Sequence, residues 1–205
     1  AVAASGALVD GDHIMAIAAV DLSHRGLLRN KGVAVTVMTN LGFHHTMRDN
    51  NIDVVITPVG DRSILVALDE FDFVLGGEQS GHVIHRAHAT TGDGLLAALQ
   101  LVEYITRARV TLDQAASIMQ SYPQILLNIR TLNRVHDPVH DIAEQIAIAE
   151  AELGDNGRIL VRSSGTEPLV RVMVEAADQV TAESIAMRLA QGVVDIHGGT
   201  IEGTH

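Results

Sequence analysis

Cysteine and tryptophan are both missing from the 205 residues, and lysine occurs once, as Lys31. Without cysteine there are no disulfides and no thiol chemistry; the compartment is left open, and a cytoplasmic location fits. Aromatic residues make up 2% of the chain although 47% is hydrophobic. The core must therefore be built from Val, Ile, Leu and Ala, a diet that suits α/β packing. With a single lysine, arginine carries nearly all the positive charge. The formal net charge of −11 argues against nucleic acid or an anionic membrane as the main partner, so an anionic small molecule would need local basic residues. No apolar run is long enough to span a bilayer, and no signal-peptide pattern opens the chain. The first residues, Ala1-Val2-Ala3-Ala4-Ser5-Gly6, read as the middle of a strand and turn. There is no internal repeat.

What is present centres on Arg162-Ser163-Ser164-Gly165-Thr166-Glu167-Pro168. The five residues 158–162 are short, apolar and β-branched, while Val170, Val172 and Val174 alternate with Arg171, Met173 and Glu175. Both flanks are expected to be strands. A glycine in the connection lets successive N–H groups face one concavity, and such nests bind anions. Ser164 and Thr166 add hydroxyl donors, and Arg162 and Arg171 supply forked, charge-assisted bonds. The loop reads as a docking site for a phosphate monoester. The plain alternative is an ordinary Ser/Gly/Pro hairpin with two solvated arginines.

From Val33 the pattern is strand, loop and helix repeated. Strands are expected at 33–38, 54–57 and 73–76, with helices ending near Met47 and over 63–70. A continuous apolar strand such as 33–38 belongs in a sheet covered on both faces. The expected fold is a three-layer α/β domain with a mixed, mostly parallel sheet. Thr90-Thr91-Gly92-Asp93-Gly94 opens a helix over 95–106, and Thr111-Leu112-Asp113 caps another reaching about Gln120. Tyr122-Pro123 breaks the pattern and marks a domain boundary. A smaller α+β domain follows, with an antiparallel sheet and helices packed on one side. Its strand at 125–130, its helices over 139–153 and 181–194 and its hairpin around the Ser-Gly-Thr loop all have the right period. The glycine-rich tail over 197–205 is expected to be loose.

Ligands of open α/β sheets gather beyond the strand C-termini. Gly60-Asp61-Arg62 and Gly77-Glu78-Gln79-Ser80-Gly81-His82 both fall there. An extended backbone would put Glu78, Ser80 and His82 on one side. A carboxylate, a hydroxyl and an imidazole together suit the vicinal hydroxyls of a sugar, and His82 can relay a proton; a polar turn is the alternative. Asp61 and Arg62 either pair with each other at a helix start or face the 77–82 loop as a proton-transfer or orienting pair. Asp10 or Asp12 caps the helix over 14–20, which explains them better than metal ligation, and Asp93 caps the helix after it. Eleven histidines invite a zinc site, but no ligand spacing supports one. No nucleophile is credible.

Taken together and in order, Val-Asp-Gly-Asp at 9–12, Asn-Leu-Gly at 40–42, Val-Gly-Asp-Arg at 59–62, Gly-Glu-Gln-Ser-Gly-His at 77–82, Thr-Thr-Gly-Asp-Gly at 90–94, Tyr-Pro-Gln-Ile-Leu at 122–126 and Arg-Ser-Ser-Gly-Thr-Glu-Pro at 162–168 closely resemble the C-terminal half of the bacterial phosphoglucosamine mutases, a family in the α-D-phosphohexomutase superfamily. The resemblance implies a four-domain isomerase that interconverts glucosamine 6-phosphate and glucosamine 1-phosphate for cell-wall precursor synthesis. In that family a phosphoserine in the first domain donates its phosphoryl group. A magnesium ion on an Asp-Gly-Asp-x-Asp-Arg loop of the second domain supports the transfer, and a bisphosphorylated intermediate turns over between two transfers. A holder for such a ligand must grip either end. The third domain reads sugar hydroxyls, which maps onto Glu78, Ser80 and His82. The fourth grips the non-reacting phosphate, mapping onto Arg162, Ser164, Gly165, Thr166 and Arg171.

Neither the phosphoserine loop nor the metal loop is in this sequence. The resemblance therefore makes 1–30 a remnant of the metal-binding second domain, 31–122 the sugar-recognition domain and 123–205 the phosphate-binding domain. It implies a hexosamine phosphate substrate, dependence on the missing N-terminal half for turnover, and no bound magnesium on this polypeptide. The remnant leaves a surface free for a homodimer. Gln79 favours the amino-sugar branch over phosphomannomutase/phosphoglucomutase. A non-catalytic sugar-phosphate-binding fragment is the alternative of another class.

Overall fold

The structure is a computed structural model that describes residues 1–203 and forms two compact units, Ala1–Ser121 and the residues from Tyr122 onward. The first unit opens with a short hairpin in which Val2 bridges Leu8. Helix α1 (Gly11–His24) follows. The chain then alternates through β1 (Gly32–Thr36), α2 (Leu41–Asp49), β2 (Asp53–Thr57), α3 (Asp61–Glu70), β3 (Leu75–Gly77) and β4 (Val83–His85). Helices α4 (Gly94–Ala108) and α5 (Leu112–Ala116) complete it. The strand order is β2-β1-β3-β4, with β1 parallel to β2 and β3, and β4 antiparallel to β3.

The apolar run of β1 is buried at every position because its two faces enter different cores. Val33 and Val35 pack with Met15, Ala19, Phe43 and Met47 of α1 and α2, while Ala34 packs with Ile64, Ala67 and Leu68 of α3. This is the three-layer α/β architecture that the uninterrupted Val/Ala pattern called for. Helix α1 lies in that first core, with Met15, Ala16 and Ala19 each at most 1% exposed. Its alanine-rich face thus belongs to the same compact unit as residues 31–121, although sequence reasoning set residues 1–30 apart.

Asp10 caps α1 by accepting from the His13 N–H at 3.0 Å. Asp12 is fully buried instead and accepts from the Asn40 N–H at 2.8 Å, tying α1 to the turn after β1. Helix α5 stops at Ala116, short of the expected Gln120; the Ser117 hydroxyl donates to the Gln114 carbonyl at 2.8 Å, a local bond that competes with helix continuation.

The second unit contains β5 (Gln124–Arg130), α6 (Pro138–Asp141), α7 (Ala143–Leu153), β6 (Arg158–Ser163), β7 (Leu169–Glu175), α8 (Gln179–His197) and β8 (Thr200–Glu202). The strand order is β6-β7-β5-β8, antiparallel throughout. Val170, Val172 and Val174 enter one core with Ala149 and Leu153 of α7 and Ile185, Leu189 and Val193 of α8. All helices that share this core pack on one sheet face, the α+β arrangement expected from the period of β7.

The helix expected over 139–153 is broken at Ile142, whose φ of −117° is not helical; its side chain is fully buried in the core. The tail is not loose through Glu202. Positive φ values at Gly198 and Gly199 turn the chain after α8, and β8 then pairs with the outer edge of β5. A Cβ at Gly199 would lie 2.0 Å from the Arg130 carbonyl oxygen. The glycines that suggested looseness are what permit the return, and Arg130 pairs with Glu202 at 2.5 Å. Thr204 and His205 lie outside the described residues.

Candidate functional site

In the first unit the loops after β2 and β3 converge. Gly60, with φ +118°, starts α3 and sends its N–H to Glu78 Oε1 at 2.9 Å. One acceptor atom from each of Asp61, Glu78 and His82 lies within 4.8 Å of the other two. The 77–82 loop is a tight turn, not the extended run expected: the Gly81 N–H donates to the Glu78 carbonyl and the Glu78 N–H to the His82 carbonyl, both at 3.0 Å. Gly81, at φ +97°, makes the turn possible. Ser80 Oγ and His82 Nδ1 are 3.0 Å apart, so the loop residues gather through the turn itself and its neighbour.

Asp61 sits with Glu78 and His82, but Arg62 does not. Arg62 lines a separate groove with Ile56, Val66 and Phe71, and among the described residues it makes no ion pair with Asp61. A cleft of about 490 Å³ adjoins the loop, walled by Leu8, Met38, Val59, Glu78, Gln79 and Ser80. Asp93 caps α4, accepting from the Leu96 N–H at 3.0 Å, and the preceding Gly92 lies behind His82, 3.8 Å from its Cα to a Cβ built on the glycine.

Sequence reasoning missed Gly11. A Cβ there would lie 2.2 Å from the Glu78 carbonyl oxygen and 2.7 Å from that of Gln79, and the Gly11 N–H donates to Gln79 O at 3.0 Å. The start of α1 thus presses on the backbone of the loop. The signal was the glycine in Val-Asp-Gly-Asp, read only as part of a cap. Gly11→Ala is expected to displace the loop and cost about 1–3 kcal/mol of stability through overpacking. Chemical-shift changes confined to α1, rather than extending to residues 78–82, would refute the contact.

In the second unit, Arg162 and Arg171 are directly opposite across β6 and β7. Among the described residues neither makes an ion pair, and Arg171 Nε is buried without a hydrogen-bond partner. Burial, and then the charge of Arg171, push the Arg162 guanidinium down from its usual pKa. Two like charges in direct cross-strand register are unfavourable, and an orphaned buried donor costs more. Both penalties are relieved by an anion.

The Ser-Gly-Thr loop sits at the end of this pair. Ser164 Oγ accepts from the Glu167 N–H at 3.4 Å, which leaves its hydroxyl hydrogen to donate elsewhere. A Cβ at Gly165 would meet nothing within 4 Å, so this position is open to a ligand. Arg134 donates to the Gly165 carbonyl at 2.8 Å, Ser163 Oγ donates to Val135 O at 2.6 Å, and Thr131 N–H donates to Pro168 O at 3.0 Å. This bracing from residues 131–135 had no local sequence signal.

The chain matches "Phosphoglucomutase/phosphomannomutase, alpha/beta/alpha domain III" over residues 10–122. It belongs to the phosphoglucomutase/phosphomannomutase family. Residues 126–192 match the C-terminal domain of the same family. The phosphoglucosamine mutase of Frankia casuarinae is 51% identical over 191 residues, covering 93% of this chain and 42% of that protein. That of Clavibacter michiganensis is 50% identical over 194 residues, covering 93% and 44%. The chain spans less than half the length of these curated relatives. A crystal structure of Aspergillus fumigatus N-acetylphosphoglucosamine mutase, in complex with GlcNAc-6P and magnesium, has a TM-score of 0.75 at 23% identity, covering 95% of this chain and 45% of that one. That likeness shows the shared fold.

Proposed function

We propose that this chain is the substrate-recognition part of a phosphohexomutase that isomerises glucosamine 6-phosphate and glucosamine 1-phosphate through a phosphoserine in a separate N-terminal half. The observation that carries the phosphate part is the bare Arg162–Arg171 pair with its orphaned Nε. A dianionic phosphate monoester supplies the missing acceptors, with Ser164, Thr166 and the open backbone at Gly165 completing the grip. In the other unit, Glu78 and Ser80 read sugar hydroxyls, and His82 is the group placed to accept or return a hydroxyl proton. The amino-sugar assignment is supported by relatives near 50% identity named phosphoglucosamine mutase.

Magnesium serves the whole enzyme in this reading, and neither Asp10 nor Asp12 is placed to hold it. Asp10 is committed to His13 and Asp12 to Asn40, so neither is promoted to a ligand. Among the described residues no helix is long and apolar enough to cross a membrane; a cytoplasmic enzyme fits the family.

Calorimetric titration tests the reading. Glucosamine 6-phosphate is expected to bind more tightly than inorganic phosphate, and Arg162→Ala to weaken phosphate-ester binding by about 1.5–3 kcal/mol. The same substitution removes a like-charge contact, so the melting temperature should not fall. Undiminished affinity in the variant would remove the clamp. Adding the N-terminal half should restore turnover; its failure to do so would favour a binding fragment.

A further inference from the structure

We infer that Arg134 is a positioning residue for the phosphate site: it holds the Gly165–Thr166 peptide turned so that its N–H faces the anion, an inference that rests on the function proposed above. Residues 164–167, between β6 and β7, have four consecutive N–H groups to place. That of Ser164 donates to the Leu169 carbonyl at 2.8 Å, and that of Glu167 to Ser164 Oγ at 3.4 Å. Among the described residues the N–H groups of Gly165 and Thr166 have no partner. Two adjacent backbone donors left over in this way form an anion nest.

A nest binds only while its peptides keep their orientation, and glycine is the residue about which a peptide turns most easily. Arg134 opposes that turn. Its Nη2 donates to the Gly165 carbonyl at 2.8 Å. The Gly165–Thr166 peptide is trans, so its C=O and N–H lie in one plane and point to opposite sides. Fixing the Gly165 carbonyl from one side therefore aims the Thr166 N–H to the other. Arg134 is itself anchored on both flanks. The Thr131 N–H donates to Pro168 O at 3.0 Å, and Ser163 Oγ donates to the carbonyl of Val135, whose side chain is in the core. Among the described residues Arg134 makes no ion pair, so no carboxylate competes with the Gly165 carbonyl for it.

The test titrates inorganic phosphate and glucosamine 6-phosphate into the native chain, Arg134→Ala, Arg134→Lys and Arg162→Ala, and follows the Thr166 amide resonance. Arg134 is exposed, so its variants should keep the native melting temperature. Both ligands should bind Arg134→Ala about tenfold more weakly, the loss of one hydrogen bond to a charged group. Arg134→Lys keeps a donor for the carbonyl and should recover most of the affinity. Phosphate should move the Thr166 amide proton downfield in the native chain and much less in Arg134→Ala. In about 1 M salt, where the Debye length is about 3 Å, a simple loss of positive charge is screened, whereas the difference made by a misaimed N–H remains. Equal affinities of native chain and Arg134→Ala at that salt, or an unchanged Thr166 shift, would overturn the inference. Full affinity in Arg134→Ala with weakened Arg162→Ala would overturn it and leave the clamp standing. Full affinity in both variants, or no phosphate binding by the native chain, would overturn clamp and inference together.

Discussion

Replacing Arg158 by alanine is expected to cost the second unit about 3–5 kcal/mol, the range for breaking one partner out of a buried ion pair. Arg158 and Glu175 are in cross-strand register on β6 and β7. The guanidinium reaches the carboxylate with Nε at 3.1 Å and Nη2 at 3.2 Å, a forked pair, and Glu175 is 0% exposed. Removing the arginine takes both of these bonds away from a buried carboxylate. Replacing both residues, as in Arg158→Met with Glu175→Leu, should cost much less, because an apolar pair of similar volume needs no desolvation. Urea unfolding of the four chains of this double-mutant cycle measures the difference. A loss under about 1 kcal/mol for the single variant would mean that the pair behaves like an exposed one.

Acid is expected to weaken the first unit through His85. Burial, with a smaller contribution from the charge of His88, pushes the His85 imidazole down to about 4. Its side chain is 5% exposed, and Nε2 has no hydrogen-bond partner. It lines a small cavity with Asp21, Glu103 and Tyr104, where both acids are already bonded to Arg107. In the unfolded chain the imidazole takes up its proton near the usual 6.5. The folded state lags until about pH 4, so the loss begins as pH falls through 6.5 and levels off below 4. Linkage puts it at about 3 kcal/mol. Urea unfolding at pH 7 and pH 4.5 should show a smaller acid loss in His85→Leu than in the native chain. Equal losses would place the acid sensitivity in the carboxylates.

Much of the architecture is legible residue by residue. The uninterrupted Val33-Ala34-Val35 run requires two covering layers, and the alternation of Val170, Val172 and Val174 requires one. Caps were equally readable, since Asp10, Asp93 and Thr111 each have a side chain that meets the donors of a helix start. The loops were less so. An extended 77–82 segment and a looped tail were reasonable from composition, but hydrogen bonds made within the turn and across β5 decided otherwise.

Sequence alone determined which chemical groups each loop carries and the order of most strands and helices, because period and local capping depend on near neighbours in the chain. Only the tertiary structure decided which of those groups act together. Asp61 joins Glu78 and His82 while its neighbour Arg62 turns away, Arg171 meets Arg162 without a counter-charge among the described residues, and Gly11 proves to be a spacer beneath a distant loop. Each of these depends on contacts between segments far apart in sequence. Packing density and strand register set such contacts, and neither leaves a mark on the local pattern of residues.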